Sequence, residues 1–589
     1  MKAALNRPNV AQPASANEPL KSLSTELRWI IPESIAQEAR PLADELDVAP
    51  FVAELLWRRG LRSGNEAARF LDPKLKSLSD PFLLPNMDAA VDRMLSAIDR
   101  RERVVLYGDY DVDGVTSLAL LTRVLRALGA GVECFLPSRI DEGYGLSADG
   151  VARCQSEFAP QLLIAVDCGT SSVAEITALR AQGIDVIVLD HHECKEELPP
   201  CVALVNPKLG PDFHNLCSVG IVFKVAHALI KRRPVADLDL RTFLDLVALG
   251  TVADLVPIAG ENRIFVKRGL VQLEQTQWVG LRALLEVAGL RAPFSPGNIG
   301  FGLGPRLNAA GRLGTAQDAL ELLLTEDATR ARAIAQNLDT QNRERRAVED
   351  SVLQQAEAQL ATSFDEQRDA AIVVGDSGWH PGVVGIVASR LMKRHHRPTF
   401  VIGFDDQGLG KGSGRSIDGL SLVQALNSCA AMLDKFGGHD MAAGLTLQQV
   451  RFAEFRAAFC ACAGERLSAE QLQPRLHLDA MLALREIDLE LLRQHEALQP
   501  FGMGNPQPVF VARNLTLAAD PKVMKEKHLS LSLRQNGREQ RAVWFGGAAQ
   551  ELPSQPWDVA FQIERNEYMG RVTAQMHIKA VRTSPRAEG

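Results

Sequence analysis

The sequence predicts an α/β protein of two successive α/β domains, the first on a parallel sheet, joined by a long helix and followed by an all-β barrel. Three observations predict it. From about residue 103, short β-branched runs alternate with longer helical periods, the pattern of strands linked by crossover helices. A charged, alanine-rich tract free of glycine and proline covers 325–363. Beyond about residue 476, alternating apolar and polar runs are separated by Gly, Pro and Asn turns.

In chain order, residues 1–70 are the least informative, and their Pro/Asn/Ser-rich first 25 are expected to be disordered. The first α/β domain is expected over 71–320. Its strands are read at 103–107, 132–136, 162–166, 185–189 and 202–205, with helices over 115–128 and 173–182; three of the strands end in acidic residues. The connecting helix is expected within 321–363, where Ile334, Leu338, Val348 and Val352 fall at helical spacing. A second α/β domain, 364–460, begins with a strand at 371–374, passes through a Gly-rich turn into a helix over 382–393, and continues with a strand at 399–403. The barrel is expected over 468–583, with strands such as 529–533 and 559–563.

The chain has 589 residues, of which 46% are hydrophobic and 23% charged, so collagen-like, disulfide-scaffold and wholly disordered classes are excluded. The most apolar stretch, 246–260, is too short for a membrane span and carries Asp254 in its middle. With no export signal read at the N-terminus, the expected location is the cytoplasm. Nine cysteines without a single CxxC fit reduced, mostly buried thiols rather than disulfides or a zinc ribbon. The net charge of −7 argues mildly against nucleic acid, yet residues 500–589 hold 12 Lys/Arg against 8 Asp/Glu, net +4.

The chemistry concentrates at strand ends. In Tyr107-Gly-Asp-Tyr-Asp-Val-Asp-Gly114, Asp109, Asp111 and Asp113 follow a strand and precede a helix. Alternating Asp on an extended segment places the three carboxylates on one side, and Gly114 lets the chain turn into the helix. Carboxylates packed so closely repel one another unless a divalent cation joins them. An EF-hand-like calcium loop would need a glutamate near the end of its twelve residues, and none stands there. Asp167 follows a second strand, Asp190-His191-His192 a third, and Asp254 sits in an otherwise apolar stretch. Ligands of open α/β sheets gather at the carboxyl ends of strands, so these four motifs can converge. A shell dominated by oxygen, with histidine and no thiolate, suits Mn²⁺ or Mg²⁺ better than Zn²⁺.

These residues resemble the DHH phosphoesterase superfamily, named for the triplet at 190–192, and within it the RecJ family of single-strand-specific 5′ to 3′ DNA exonucleases. The likeness runs from about Asn86 to the C-terminus. It rests on GDYDVDG at 108–114, VDCGTS at 166–171, LDHH at 189–192, GTVADLVP at 250–257 and GPRLNAAGR at 304–312. WHPGVVGIVASR at 379–390, GSGRS at 412–416 and GGHDMAAG at 437–444 look like the DHHA1 domain that follows DHH domains. The resemblance implies two divalent ions. Asp113, Asp167, His191 and Asp254 would hold one, Asp111 and again Asp167 the other, with Asp109 in support and His192 on the scissile phosphate.

It also implies a terminal-phosphate pocket of Ser413 and Arg415 with Arg139, which would impose polarity because only an end presents that group. Arg306, Asn308 and Arg312 are further phosphate candidates; Gly438, His439 and His380 would face the nucleic acid. The basic C-terminal segment fits an oligonucleotide-binding barrel, with Lys522, Lys525, Lys527 and Arg534 as electrostatic candidates and Trp544 and Phe545 as either core or base-stacking residues. The expected activity is hydrolysis of single-stranded DNA in repair and recombination, inside a channel too narrow for a duplex. Single-strand-binding protein and a helicase are the expected partners, and a monomer suffices. Two other readings stay open: a phosphoesterase acting on short oligonucleotides or cyclic dinucleotides, and a non-catalytic replication scaffold.

Overall fold

The computed structural model describes residues 27–138, 142, 145–211, 213, 215–313, 316–366 and 368–585. The disorder expected of the first 25 residues lies outside the described residues. The chain divides into two compact units, one of 36–342 with 494–507, the other of 27–35, 343–493 and 508–585. Among the described residues no helix is long and apolar enough to cross a membrane.

In the first unit, Val132–Phe135, Val104–Gly108, Leu162–Val166, Asp185–Leu189 and Ala203–Val205 lie side by side in that order as a parallel sheet. Val104–Gly108 and Leu162–Val166 are buried at every position. Both faces of the sheet are covered, as near-continuous apolar runs demand. One face packs on Val112–Ala127, Ser218–Arg232 and Leu244–Ala253 through Leu118, Val222 and Leu246; the other, with Tyr107, Leu163 and Val188, packs on Val151, Ile176 and Leu179. The strand order reverses between Val104–Gly108 and Leu162–Val166, and a crevice for ligands opens at such a reversal, outside the carboxyl ends.

Residues 36–71, uninformative as sequence, form three helices, Ala36–Leu46, Pro50–Arg58 and Gly64–Leu71. Leu42, Val52, Leu55 and Leu56 bury with Leu498 in a core of their own. The stretch 494–507, expected to be part of the barrel domain, therefore belongs to the first unit. The buried Arg263 clamps it, donating to the carbonyls of Phe70 (2.7 Å), Leu498 (3.0 Å) and Gln499 (2.8 Å), and the Ile258 N–H donates to the Met503 carbonyl at 2.7 Å.

The long helix is Ala328–Ser363, 36 residues and about 54 Å at 1.5 Å per residue. Ala331, Ile334 and Leu338 bury in the core of the first unit, whereas Val352, Ala356 and Leu360 bury in the second. In the second unit a mixed sheet runs Lys435–Gly438, Ala442–Gln448, Leu409–Arg415, Thr399–Phe404, Ile372–Ser377; its last pair is parallel and the others antiparallel. The glycine-rich stretch that contains GSGRS forms the strand Leu409–Arg415 inside this sheet. Its even positions pack so tightly that a Cβ at Gly410 would stand 2.5 Å from Phe404 and one at Gly414 2.5 Å from Phe400. Glycine here makes room for aromatic side chains rather than a turn.

The C-terminal strands Phe510–Leu517, Trp557–Tyr568, Arg571–Thr583, Arg538–Trp544 and His528–Gln535 pair in sequence, and Thr516 and Leu517 close the ring on Arg534 and Leu533. This is a five-stranded barrel filled by Phe510, Leu533, Phe561 and Met576. Arg28–Ile30 pairs in parallel with Arg475–His477, and Trp29 joins Val511 and Ala560 in a small core beside the barrel. Trp544 is buried, so it is a core residue. Phe545 sits edge-on between His528 and His577, its ring centroid 5.1 Å from each. Lys522, Lys525 and Lys527 are exposed, while Arg534 is ion-paired with Glu539 at 2.6 Å.

Candidate metal centre

At the strand reversal the first unit gathers all seven predicted residues of the acidic and histidine set. Asp109 follows Val104–Gly108, Asp111 caps the helix Val112–Ala127, and Asp113 stands in that helix's first turn. The expected extended run of three aspartates is thus cut short, because the helix begins at Val112. Its start folds the chain back until a Cβ at Gly114 would lie 2.3 Å from the Asp109 carbonyl oxygen. Gly114 serves close approach, without a left-handed backbone. Asp167 does take the left-handed conformation, φ 64°, a strained state for a non-glycine residue that turns its carboxylate into the crevice.

The helix Ser218–Arg232 points its N-terminus at the centre. Asp113 accepts the Ser218 N–H at 2.7 Å and the Val219 N–H at 2.9 Å, and Ser218 Oγ donates to Asp167 Oδ1 at 2.9 Å. Two buried carboxylates are oriented by one helix end. The helix bearing Asp254 comes so near that a Cβ at Gly250 would stand 2.8 Å from Asp113 Oδ1.

His191 Nε2 lies 3.4 Å from Asp167 Oδ1, 3.6 Å from Asp254 Oδ2 and 3.9 Å from Asp113 Oδ2. It is buried and makes no hydrogen bond among the described residues. A nitrogen surrounded by carboxylates at these distances, bonded to none of them, fits a metal ion in the space between. Asp109, Asp111 and Asp167 form a second set of close ligand atoms sharing Asp167 with the first. The first set is oxygen-rich with one imidazole and the second is all carboxylate, and both fit Mn²⁺ or Mg²⁺.

The electrostatics agree. Without a cation, burial, followed by the charges of Asp113 and Asp111, raises Asp254 to about 9. Burial and the Asp111 charge raise Asp113 to about 7, and burial with four neighbouring aspartates raises Asp167. Burial lowers His191 to about 4, leaving it a neutral ring able to ligate.

Asp190 plays a different part, which the sequence reading missed. Its Oδ1 accepts the His191 N–H (2.8 Å), the His192 N–H (3.2 Å) and His192 Nδ1 (2.6 Å), and its Oδ2 accepts the Thr170 N–H (3.0 Å). Burial opposes the charge of Asp190, but these bonds outweigh it and hold the carboxyl well below the usual range. For His192, burial is likewise outweighed by Asp190, and the ring rises to about 9. It presents a charged donor at the edge of the centre. Asn206 completes the support by donating to Thr170 Oγ1 and to the His192 carbonyl. Roles for Ser218, Thr170 and Asn206 were not foreseen; Thr170 stands in the VDCGTS motif, and Ser218 opens an apolar helical run.

The other predicted residues are spread more widely. Arg139 lies outside the described residues. Arg306 is tied to Asp339 on the long helix (2.9 Å) and to the Gly302 carbonyl (2.6 Å), so it braces the fold. Asn308 and Arg312 are half-buried on the helix Gly304–Leu313, which passes close to Tyr110 at Gly311. In the second unit, Ser413 and Arg415 share one face of their strand. Arg415 donates to Ser413 Oγ at 3.0 Å and to the Gly414 carbonyl at 2.7 Å, and no carboxylate pairs with it among the described residues. Over the same face lies the helix Pro381–His395, where a Cβ at Gly385 would stand 3.0 Å from Ser413 Oγ. His380 caps that helix, its Nδ1 accepting the Gly382 N–H at 3.0 Å, which leaves Nε2 as the protonated donor of the neutral ring. Gly438, φ 142°, and the exposed His439 form the turn into Ala442–Gln448.

Three family models match the chain: the DHH family N-terminal domain over 103–251, the DHHA1 domain over 368–465 and the RecJ OB domain over 478–580. The chain is 36% identical over 568 residues to the single-stranded-DNA-specific exonuclease RecJ of Bacillus subtilis (strain 168), a match covering 95% of this chain and 71% of that protein. It is similar to the crystal structure of RecJ from Thermus thermophilus in complex with Mn²⁺, at TM-score 0.82 and 32% identity, covering 96% of this chain and 81% of that one. The same protein with Mg²⁺ gives TM-score 0.76 at 30% identity, covering 96% and 80%.

Proposed function

The chain belongs to the RecJ family of single-stranded-DNA-specific exonucleases, and on that premise we propose that it removes mononucleotides from the 5′ end of single-stranded DNA, in repair and recombination. It is a metal-dependent exonuclease whose cations are Mn²⁺ or Mg²⁺. The observation that carries the reading is the buried, unpaired Nε2 of His191 facing three carboxylates.

Asp113, Asp167, His191 and Asp254 would hold one ion, and Asp111 with Asp167 the second, supported by Asp109. Two such ions, when bound, lower the pKa of a water and offset charge on the attacking and leaving oxygens of an in-line displacement. The chain's own residues do the rest. The N-terminus of Ser218–Arg232 fixes Asp113, and Ser218 fixes Asp167, so the ligands need no rearrangement. His192, held through Nδ1 by Asp190, turns its other N–H toward a non-bridging phosphate oxygen. Ser413 and Arg415, with Arg139, would hold the terminal 5′-phosphate and so set polarity. His380, Gly438 and His439 would line the strand's path, and Asn308 and Arg312 would meet phosphates near Tyr110.

Residues 71–320 would be the catalytic domain, 364–460 the end-binding domain and 468–583 the strand-binding barrel, with 494–507 returned to the first. Because every proposed ligand stands on one chain, a monomer suffices. A helicase and a single-strand-binding protein would deliver the strand to the enzyme in the cytoplasm.

The test is a 5′-phosphorylated single strand labelled at its 3′ end, incubated with Mn²⁺ beside a blunt duplex and an Asp113→Ala control. Progressive shortening of the single strand alone, absent in the variant, is the expected result. Intact long DNA with hydrolysis of a dinucleotide would favour the small-substrate phosphoesterase, and no cleavage with any metal the scaffold.

A further inference from the structure

We propose that Cys217 makes the metal centre a capture site for thiophilic cations, in which Zn²⁺ or Cd²⁺ is held by Cys217, Asp113, Asp254 and His191 and displaces Mn²⁺ or Mg²⁺. The inference rests on the reading of these residues as a metal centre and adds a ligand and an inhibitory metal class to it.

Cys217 is fully buried at the start of the helix Ser218–Arg232. Its Sγ and a carboxylate oxygen from each of Asp113 and Asp254 all lie within 4.8 Å of one another. His191 Nε2 is 3.6 Å from Asp254 and 3.9 Å from Asp113, buried and without a hydrogen-bond partner among the described residues. The sulfur and the two carboxylates, from three separate segments, therefore face a common point, and His191 Nε2 stands against the same two carboxylates. The thiol donates weakly to Thr251 Oγ1 at 3.6 Å, and it also lies against the Asp113 carboxylate and the Gly220 N–H. The two peptide N–H groups after Cys217 grip Asp113 at 2.7 and 2.9 Å, so sulfur and carboxylate are fixed relative to each other.

The hard cations Mg²⁺ and Mn²⁺ take oxygen and imidazole and pass over a thiol, whereas Zn²⁺ and Cd²⁺ accept sulfur, and Zn²⁺ exceeds Mn²⁺ in affinity for a given mixed site. The Cys217 proton leaves to solvent as its sulfur ligates. Four protein ligands around a tetrahedral ion make a closed site, without the open position that catalysis needs for water. The expected consequence is an enzyme silenced by traces of zinc while still able to bind manganese once zinc is removed.

The test uses the full-length protein freed of metal. Cd²⁺ titration should give a thiolate charge-transfer band in the ultraviolet that saturates at one equivalent and is absent in Cys217→Ser. Mn²⁺ binding followed by electron paramagnetic resonance should persist in that variant, and competition should show the Zn²⁺-over-Mn²⁺ preference reduced by about tenfold or more. Zinc-edge X-ray absorption on the unmodified protein, independent of any variant's folding, should find one sulfur at about 2.3 Å. A shell of nitrogen and oxygen alone, or a cadmium band that survives Cys217→Ser, overturns the inference while leaving the centre in place. Failure of Mn²⁺ to bind the unmodified protein overturns the metal-centre reading and this inference with it.

Discussion

Asp190→Asn should turn His192 from a cation into a neutral ring at the enzyme's working pH. The carboxylate accepts four N–H groups: both peptide N–H groups and Nδ1 of the histidine pair at Oδ1, and Thr170 at Oδ2. An amide offers one acceptor oxygen, and its NH₂ must face a donor whichever way it is turned. Leaving that buried donor unsatisfied costs about 1–3 kcal/mol. For a unit of this size the loss corresponds to a fall of roughly 1.5–4.5 °C in Tm.

The charge effect is larger. Without Asp190, His192 should drop from about 9 toward its ordinary 6.5, so at pH 8 the imidazolium share falls from roughly 90% to about 3%, and at pH 6 it hardly changes. The rate at pH 8 should therefore fall about 30-fold, within the 10–100-fold range typical of residues that orient a metal site, against less than about 3-fold at pH 6. Because the His192 value lies above its unfolded one, the stability this pair contributes is complete below about pH 6.5 and lost as pH rises through about 9. The depressed Asp190 sets the acid side, its contribution vanishing as pH falls below the ordinary 3.8. NMR titration of the metal-free protein and release of acid-soluble nucleotides at pH 6 and 8 measure both effects. A His192 that still titrates near 9 in the variant, or a rate ratio equal at the two pH values, would refute the reasoning.

Three further outcomes follow from the geometry. In the metal-free fold Asp254 and Asp113 hold protons to about 9 and 7 that the unfolded chain releases near 3.8, so stability falls as pH rises between those limits; the Tm gain on adding Mn²⁺, ~4 °C per bound ion at a hundred times Kd, should be larger at pH 8.5 than at pH 6 by differential scanning calorimetry. Arg415→Ala should raise KM about tenfold or more for 5′-phosphorylated strands and leave 5′-hydroxyl strands within twofold in steady-state kinetics. Replacing Lys522, Lys525 and Lys527 together by Ala should weaken single-strand binding and reduce the slope of log K against log salt by about 2, read by fluorescence anisotropy.

The first sheet and its metal-ligand cluster were legible because parallel strands buried on both faces write near-continuous apolar runs, and the topology then sends their carboxyl ends to one crevice. Asp109, Asp167 and His191 could be placed by that rule alone. Asp113 could not, since whether the helix begins at Val112 or at Val115 depends on the cap formed by Asp111, a local bond that competes with the extended backbone. The strand Leu409–Arg415 was hidden by its own glycines, whose reason is the bulk of Phe400 and Phe404 across the sheet. Asp190 carries no pattern that separates it from a ligand, and only its four donors reveal that it orients instead. The helices of 36–71 were obscured by a partner, Leu498, that lies hundreds of residues away.

That last contact has a temporal consequence. A ribosome has already released every proposed metal ligand once Asp254 emerges, yet the unit that holds them is unfinished until 494–507 arrives to bury Leu498 and meet the carbonyl-hungry Arg263. A polypeptide broken off anywhere in between has the chemistry without the scaffold that steadies it. Products that stop short of this segment leave the apolar face around Leu55 and Leu56 without Leu498 and leave Arg263 with the Phe70 carbonyl but without those of 498 and 499, features of an incompletely folded unit.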